Sequence, residues 1–165
     1  MGSIARYYIR CIDLINKFTG WSLAVMLATM SILIFWQVFA RFVVGNSLTF
    51  SEELSRFLMI WMTLLGMAYA YRKGMLISVD LLPDIVSHTL RKWIKIAVYM
   101  LSFIFAVVLV IFGWDMAQAV SSQTAPSTRI SMFWPMLALP IGGLLIFLNS
   151  IVLIIEELSG GRDKT

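Results

Sequence analysis

Long uncharged segments separated by short charged ones make up most of the chain, and this pattern predicts helices that cross a membrane. One uncharged run covers 23 residues from position 18 to 40, another covers 19 residues from 96 to 114, and a third covers 26 residues from 130 to 155. Each is long enough to cross a hydrocarbon core of roughly 30 Å as an α-helix. The third run contains Pro140, which lacks a backbone donor, so we expect a kink near it.

A fourth span is predicted from its ends, because positions 57–71 give only 15 uncharged residues. Thr49 and Glu52 have the spacing of a capping box at a helix N-terminus, and the segment Arg72–Gly74 is typical of a helix C-terminus. A helix over 50–73 would be about 36 Å long at roughly 1.5 Å per residue, so it would cross the membrane. The four predicted spans are about 18–41, 50–73, 94–115 and 131–155.

The distribution of lysine and arginine predicts which side of the membrane each loop occupies. Four spans place both termini on one side, and that side carries ten Lys and Arg residues in the N-terminal arm, the central loop and the C-terminal tail. The opposite side has only Arg41 and Arg129, with Arg56 just inside the second span. The positive-inside rule therefore places both termini in the cytoplasm. The first span is too long for a signal peptide and lacks a cleavage site before Arg41, so we expect it to be retained.

The cytoplasmic segment between the second and third spans has apolar residues at helical spacing and polar residues at the other positions. We expect a short amphipathic helix there, about 81–92, lying in the plane of the lipid headgroups. The alternative is a plain extension of the third span, with Pro83 marking its beginning. Basic residues beside a tryptophan would attract anionic headgroups, so phospholipid contacts are expected at Arg91, Lys92, Trp93 and Lys95.

Composition supports an all-α integral membrane protein. The chain of 165 residues is 60% hydrophobic and only 13% charged, with a mean hydropathy of +0.87. A soluble domain is nearer half apolar and a quarter charged, so this chain has too little polar surface for a water-soluble domain, a disordered chain or a nucleic-acid-binding module. We find no internal repeat or linker, and we expect one membrane domain over 1–165.

Few residues in the chain could carry out chemistry. The single cysteine, Cys11, excludes an internal disulfide, and with the single histidine, His88, it leaves too few ligands for a zinc, iron–sulfur or two-histidine haem site. No catalytic triad or nucleotide-binding loop is present. The first, third and fourth spans carry no ionisable residue at mid-membrane, which argues against a transport path within this chain. We therefore expect a packing or scaffolding subunit that is not an enzyme and has no cofactor.

A few polar residues at the outer ends of the spans are candidates for structural or binding roles. Arg56 follows Glu52 and Glu53 by four and three residues, so its guanidinium can pair with either carboxylate on a helix. A structural ion pair is expected, and direct contact with a partner is the alternative. Arg41 can extend to the interface as an anchor, or it can contact another protein.

An ordered set of motifs carries a family resemblance over about two thirds of the chain. Its members are Arg41-Phe42, Ser51-Glu52-Glu53-Leu54-Ser55-Arg56, Trp61, Gly66, Arg72, Val79-Asp80, Gln123, Pro126, Trp134-Pro135 and Pro140-Ile141-Gly142. Together they resemble the small membrane subunit, DctQ type, of tripartite ATP-independent periplasmic (TRAP) transporters. The sequence departs from that pattern at Gly74-Met75-Leu76, where the family often has a Gly-His pair.

The resemblance implies a bacterial inner-membrane protein that works within a larger assembly. In this family an extracytoplasmic binding protein captures an organic acid, such as a C4-dicarboxylate or sialic acid, and a large membrane subunit carries it inward with sodium ions. The small subunit binds neither substrate nor sodium; it packs against the large subunit as a static scaffold and helps form the surface on which the binding protein docks. Candidate docking residues on the outer side are Arg41, Gln123, Ser127 and Arg129.

Two other functional classes are compatible with the sequence. One is a haem-free membrane anchor of an oxidoreductase, which would have a soluble catalytic partner on the cytoplasmic side. The other is a small transporter that assembles from copies of this chain alone. For Arg129, an interfacial anchor for the fourth span is the alternative to docking.

Overall fold

A computed structural model of the chain describes residues 3–45, 49–75 and 88–159. The described part is helical apart from loops and an isolated bridge between Thr124 and Ser131. The helices, in chain order, are α1 (Ser3–Phe39, extended by a π-helical turn over Ala40–Val44), α2 (Thr49–Arg72), α3 (His88–Ala119), α4 (Phe133–Met136) and α5 (Ala138–Leu158).

The prediction of an all-helical membrane protein with four spans is confirmed. Within the described residues, four helical stretches are long and apolar enough to cross a membrane. They cover Arg6–Val43, Thr49–Arg72, Leu90–Ala119 and Phe133–Leu158. Lipid cannot satisfy backbone polar groups, so helices that bond internally are the form in which such a chain can cross.

Helix α5 lies at the centre of the bundle, between α2 and α3, while α1 packs mainly along α2. In the last span, half of the most apolar 18-residue stretch is buried within the chain. In the first span, only 6% of the corresponding stretch is buried. The first span therefore leaves most of its apolar surface uncovered by the rest of this chain.

Two adjacent glycines allow α5 to approach both neighbours closely. A Cβ atom added at Gly142 would lie 2.9 Å from Cβ of Leu64 on α2, and one added at Gly143 would lie 2.9 Å from Cβ of Leu109 on α3. Adjacent helical positions point about 100° apart, so each glycine faces a different helix. Small residues at these contacts let the helix backbones come together, which is how helices gain packing energy in a membrane.

Aromatic and polar side chains extend this core toward the end of the bundle where α5 ends. The Tyr71 and Tyr99 rings meet edge to face with centroids 6.4 Å apart, and both residues are buried. The hydroxyl oxygens of Ser150 and Tyr71 lie 3.2 Å apart, which links α5 to α2. The three helices α2, α3 and α5 are thus joined at the same depth.

A buried pair of asparagines joins α1 to α5. Asn16 Nδ2 donates to Asn149 Oδ1 at 2.7 Å, and Asn149 Nδ2 donates back to Asn16 Oδ1 at 3.1 Å. Asn149 Nδ2 also donates to the backbone oxygen of Ala68 on α2 at 2.9 Å. Both side chains are buried, so their amide groups cannot bond to water and each amide depends on the other for a hydrogen-bond partner. The pair therefore fixes the position of α1 against α2 and α5.

The first helix is much longer than its apolar run suggests. It begins at Ser3 and has 37 residues, which corresponds to about 55 Å at roughly 1.5 Å per residue. That length exceeds a hydrocarbon core of roughly 30 Å, so we expect the first turns of α1 to extend beyond the core or the helix to tilt. Residues 3–17, which precede the predicted span, are therefore part of the same helix.

The predicted amphipathic helix at about 81–92 falls largely on residues 76–87, which lie outside the described residues. From His88 the chain already belongs to α3, so residues 88–92 are continuous with the third span, as the alternative expected. In the last span the helix is interrupted at Leu137, between α4 and α5. Pro140 lies in the first turn of α5, where its missing N–H is tolerated.

Replacing Asn149 alone by leucine should destabilise the bundle, because Asn16 would be left buried without its partner. We expect a loss of about 1–2 kcal/mol, seen as a lower melting temperature of the purified protein in mild detergent. The double variant Asn16→Leu with Asn149→Leu removes both polar groups and should be closer to the wild type than either single variant. Thr29→Val, at an exposed hydroxyl that bonds within its own helix, is the control. Additive losses in the double variant would contradict the pairing.

Candidate functional site

The polar side chains of the described residues gather at the two ends of the bundle. We call the end where α1 begins and α5 ends the terminal end, and the end that carries the loop between α3 and α4 the loop end. Among the described residues no group of three or more His, Cys, Asp and Glu lies close enough together to hold a metal ion. The polar side chains at the two ends are candidate contacts for binding partners or lipid.

At the terminal end, Arg72 joins three helices by ion pairs. Its Nη1 and Nη2 atoms donate to the two carboxylate oxygens of Glu156 at 2.8 and 2.7 Å, a bidentate pair between α2 and α5. Its Nε atom donates to Asp13 Oδ1 on α1 at 2.9 Å. The Arg72 side chain is 11% exposed and that of Glu156 is 18% exposed, whereas Asp13 is half exposed. We call Asp13, Arg72 and Glu156 the terminal triad.

Sequence reasoning missed this triad. From the sequence, Arg72 is a helix C-terminal signal, a cytoplasmic cation and a family-motif residue, but no partner is predicted for it. The two acids lie outside the uncharged runs of the first and last spans. A usable signal was present, because antiparallel spans that alternate in direction place position 13, position 72 and position 156 at the same end of a bundle. Two acids and one base at matching depth then predict an ion pair at the interface, where charged groups in membrane proteins find partners.

At the loop end, the structure separates the two acids that the sequence placed around Arg56. Arg56 Nη2 pairs with Glu52 Oε1 at 3.0 Å, and the two side chains are 64% and 58% exposed. Glu53 turns to the loop between α3 and α4 instead, where its Oε2 accepts a hydrogen bond from the backbone N–H of Thr128 at 2.7 Å. Glu53 thereby ties the start of α2 to this loop.

The loop itself is held by backbone hydrogen bonds. The N–H of Ala125 donates to the oxygen of Ile130, and the N–H of Arg129 donates to the oxygen of Ala125, both at 2.9 Å. Met132 N–H donates to Gln123 oxygen at the same distance. Arg129 has a φ of 56°, a left-handed conformation that costs energy for a residue with a Cβ. Its backbone is therefore fixed by the contacts on either side of it.

The candidate docking residues fall on two elements. Gln123, Ser127 and Arg129 lie on this loop and are exposed, and Arg41 is exposed in the π-helical turn that follows α1. The structure thus brings three of the four onto one fixed loop and leaves Arg41 on a separate helix end.

Aromatic residues surround an apolar hollow at the loop end. Trp61 Nε1 donates to the backbone oxygen of Trp134 at 3.2 Å, which joins α2 to α4. A hollow of about 420 Å³ lies beside this contact, with Leu54, Phe57 and Pro135 among its lining residues.

The residues expected to contact lipid lie in the first turns of α3. Trp93 is 64% exposed, while Arg91, Lys92 and Lys95 are half-buried. The side chain of His88, the single histidine, lies outside the described part of the structure.

Comparison with known proteins gives a family match over most of the chain. Residues 30–160 match the family model described as "Tripartite ATP-independent periplasmic transporters, DctQ component". The region that precedes the match contains Asp13 and Asn16, which take part in the terminal triad and in the asparagine pair.

Three curated relatives illustrate the similarity. The chain is 28% identical to a "Putative TRAP transporter small permease protein" of Haemophilus influenzae, covering 73% of this chain and 75% of the relative. It is 23% identical to the "C4-dicarboxylate TRAP transporter small permease protein DctQ" of Vibrio cholerae, covering 86% of this chain and 72% of the relative. It is 26% identical to the "Sialic acid TRAP transporter permease protein SiaT" of Haemophilus influenzae over 83% of this chain, which spans only 22% of that longer protein.

Replacing Arg72 by methionine should destabilise the bundle much more than the same change at Arg56. Loss of Arg72 leaves Glu156 poorly exposed and without its cation, and we expect a cost of about 2–4 kcal/mol. The exposed pair of Arg56 with Glu52 should contribute less than about 1 kcal/mol. Melting temperatures of both variants in the same mild detergent measure the difference. Equal losses at the two positions would show that the terminal triad does not hold the helices together.

Proposed function

The chain belongs to the DctQ component family of tripartite ATP-independent periplasmic transporters, and we propose that it is the small, non-substrate-binding subunit of a sodium-coupled transporter for organic acids. The family consists of transporter subunits and not of enzymes. The membership confirms the resemblance drawn from the sequence motifs, and it identifies the chain as a multi-pass protein of the inner membrane.

The observation that carries the proposal is the family match over residues 30–160, which includes the whole of the second, third and fourth spans and the last part of the first. The structure adds physical support. In the described residues the ion pairs lie at the ends of the helices, and the middle of α5 contacts its neighbours through glycines and apolar residues. Such a bundle suits a fixed frame, because transport through it would need a continuous polar path.

We propose that the chain packs against a large membrane subunit that binds substrate and sodium. Only 6% of the most apolar 18-residue stretch of the first span is buried within the chain, so a wide apolar surface is available for a partner in the membrane. Relatives named for sialic acid and for C4-dicarboxylate transport support an organic acid of one of these classes as the substrate of the assembly. The partner subunits would select it.

The terminal end would face the cytoplasm, in keeping with the positive-inside rule, and the loop end would face the extracytoplasmic binding protein. There, Glu53 would hold the outer loop against α2 through its bond to Thr128, while Arg56 and Glu52 stabilise the start of the helix. Arg129, supported by Gln123 and Ser127 on the same loop, would contact the binding protein. Arg41 would contribute charge from the end of α1.

Affinity purification of the tagged chain from its native host in mild detergent, followed by mass spectrometry, tests the assembly. We expect a large polytopic membrane subunit in equimolar amount. In liposomes, the pair should take up an organic acid only when the binding protein and a sodium gradient are both present. Recovery of a soluble redox enzyme would instead support a membrane anchor, and uptake by this chain alone would support a self-assembling transporter; either result would overturn the proposal.

Reversing the charge of Arg129 tests the docking surface. Arg129→Glu should raise the Kd of the binding protein for the reconstituted membrane complex by about tenfold at low salt, with a smaller effect at high salt, because exposed charges act mainly on encounter and are screened. Arg10→Glu makes the same charge change on an exposed residue of the terminal end and should leave this Kd unchanged. An unchanged Kd for Arg129→Glu would place docking elsewhere.

A further inference from the structure

A cleft opens between α1 and α2 next to the terminal triad. Its volume is about 1000 Å³. The mouth of the cleft is charged and is formed by Asp13, Lys17, Arg72 and Lys73. We call this space the terminal cleft.

The lining of the terminal cleft changes from charged to aromatic to apolar along α1. Asp13, Lys17, Trp21 and Ala24 follow each other at intervals of four, four and three residues, so they share one face of the helix. The distance along the axis from Asp13 to Ala24 is roughly 16 Å at about 1.5 Å per residue. The terminal cleft therefore extends from the level of the headgroups into the apolar part of the bilayer.

The opposite wall, on α2, repeats the first two steps of this order, from charged to aromatic. Lys73 lies at the mouth, and Tyr69 lies one turn deeper, with Lys73 Nζ 5.8 Å from the centre of its ring. On α1, Trp21 belongs to the same lining and is 69% exposed. Tryptophan and tyrosine are the side chains that favour the boundary between headgroups and hydrocarbon.

The mouth has an excess of positive charge. Arg72 is neutralised by Asp13 and Glu156, which it binds at 2.7–2.9 Å. Lys17 and Lys73 form no ion pair with any carboxylate in the described part of the chain. Lys17 and Lys73 therefore line opposite walls of an open cleft as two cations without a carboxylate partner among the described residues.

We propose that the terminal cleft binds one anionic phospholipid, with its phosphate between Lys17 and Lys73 and an acyl chain against Trp21 and Ala24. The charge of the mouth complements a phosphate, and the apolar depth complements an acyl chain. A helix of a partner protein would fit this gradient less well, because the lysines would need carboxylates at the same level. The site is separate from the contacts expected on α3, and it does not depend on the proposed transport role.

Native mass spectrometry of the full chain in its membrane complex tests the site. The purified complex is stripped of loosely bound lipid and incubated with equal amounts of palmitoyl-oleoyl phosphatidylglycerol and the matching phosphatidylcholine. The wild type should retain phosphatidylglycerol preferentially. The double variant Lys17→Gln with Lys73→Gln should retain about tenfold less of it, because each basic residue near a headgroup contributes appreciably to anionic lipid binding.

The matched control is Arg6→Gln with Arg10→Gln, which removes the same charge from exposed residues near the start of α1, outside the lining of the terminal cleft. Its retention of phosphatidylglycerol should equal that of the wild type. A drop of the same size in both double variants would show that retention follows total charge, and it would overturn the site.

A second variant separates a lipid from free phosphate and from a protein partner. Ala24→Trp fills the apolar depth and keeps both lysines, so it should also lose phosphatidylglycerol. If Ala24→Trp retained as much phosphatidylglycerol as the wild type, and inorganic phosphate displaced that lipid, the terminal cleft would bind only the phosphate group. Loss of the large subunit from Ala24→Trp with no change in bound lipid would mean that a protein segment fills the terminal cleft. Either result rejects the proposal. If the lysine double variant does not fold, Ala24→Trp still tests the site.

Discussion

The close approach of α5 to both α2 and α3 is the contact on which the rest of the bundle depends. Helices in a membrane gain little from the hydrophobic effect against each other, so they must gain from packing, and packing is best where backbones come near. Gly142 and Gly143 provide that approach on two sides, since a Cβ at either would lie 2.9 Å from a neighbouring side-chain carbon. With α5 held there, its later turns bring Asn149 to Asn16 and Glu156 to Arg72.

The polar contacts along α5 fix its position along the axes of α1 and α2, whereas apolar packing alone would allow the helices to slide past each other. An apolar helix surface offers many similar positions to its neighbour, whereas a buried asparagine has one position at which its donors and acceptors are satisfied. The asparagine pair and the terminal triad both join α1 to the other helices near the same end. These polar contacts explain why α1, which has few buried residues, still has a defined position against α2 and α5. The exposed pair of Arg56 with Glu52 has no such role between helices, because it lies within α2.

The sequence predicted the features that depend on neighbouring residues, and it did not predict the contacts between residues far apart in the chain. The existence of the spans follows from uncharged runs and helix ends, and the small residues Gly142 and Gly143 could be recognised as packing positions. The start of α1 could not be predicted from hydropathy, because Asp13 and Lys17 lie on the part that extends past the apolar run. The partner of Glu53 could not be predicted either, because local spacing favours Arg56, whereas the backbone N–H that donates to Glu53 Oε2 belongs to Thr128, 75 positions away in sequence.

The two ends of the molecule differ in a way that bears on a scaffold role. At the loop end, Glu53 joins the start of α2 to the loop between α3 and α4, and the bond from Trp61 to Trp134 joins α2 to α4, so the surface of this end is preformed. A preformed surface loses less conformational entropy when a partner binds. At the terminal end, the triad closes the bundle while Lys17 and Lys73 remain available beside it. Between the ends, the wide apolar surface of α1 remains uncovered by its own chain. In the proposed assembly, the fixed loop end would meet the binding protein and the uncovered face of α1 would pack against the large subunit, as a fixed frame for a moving carrier requires.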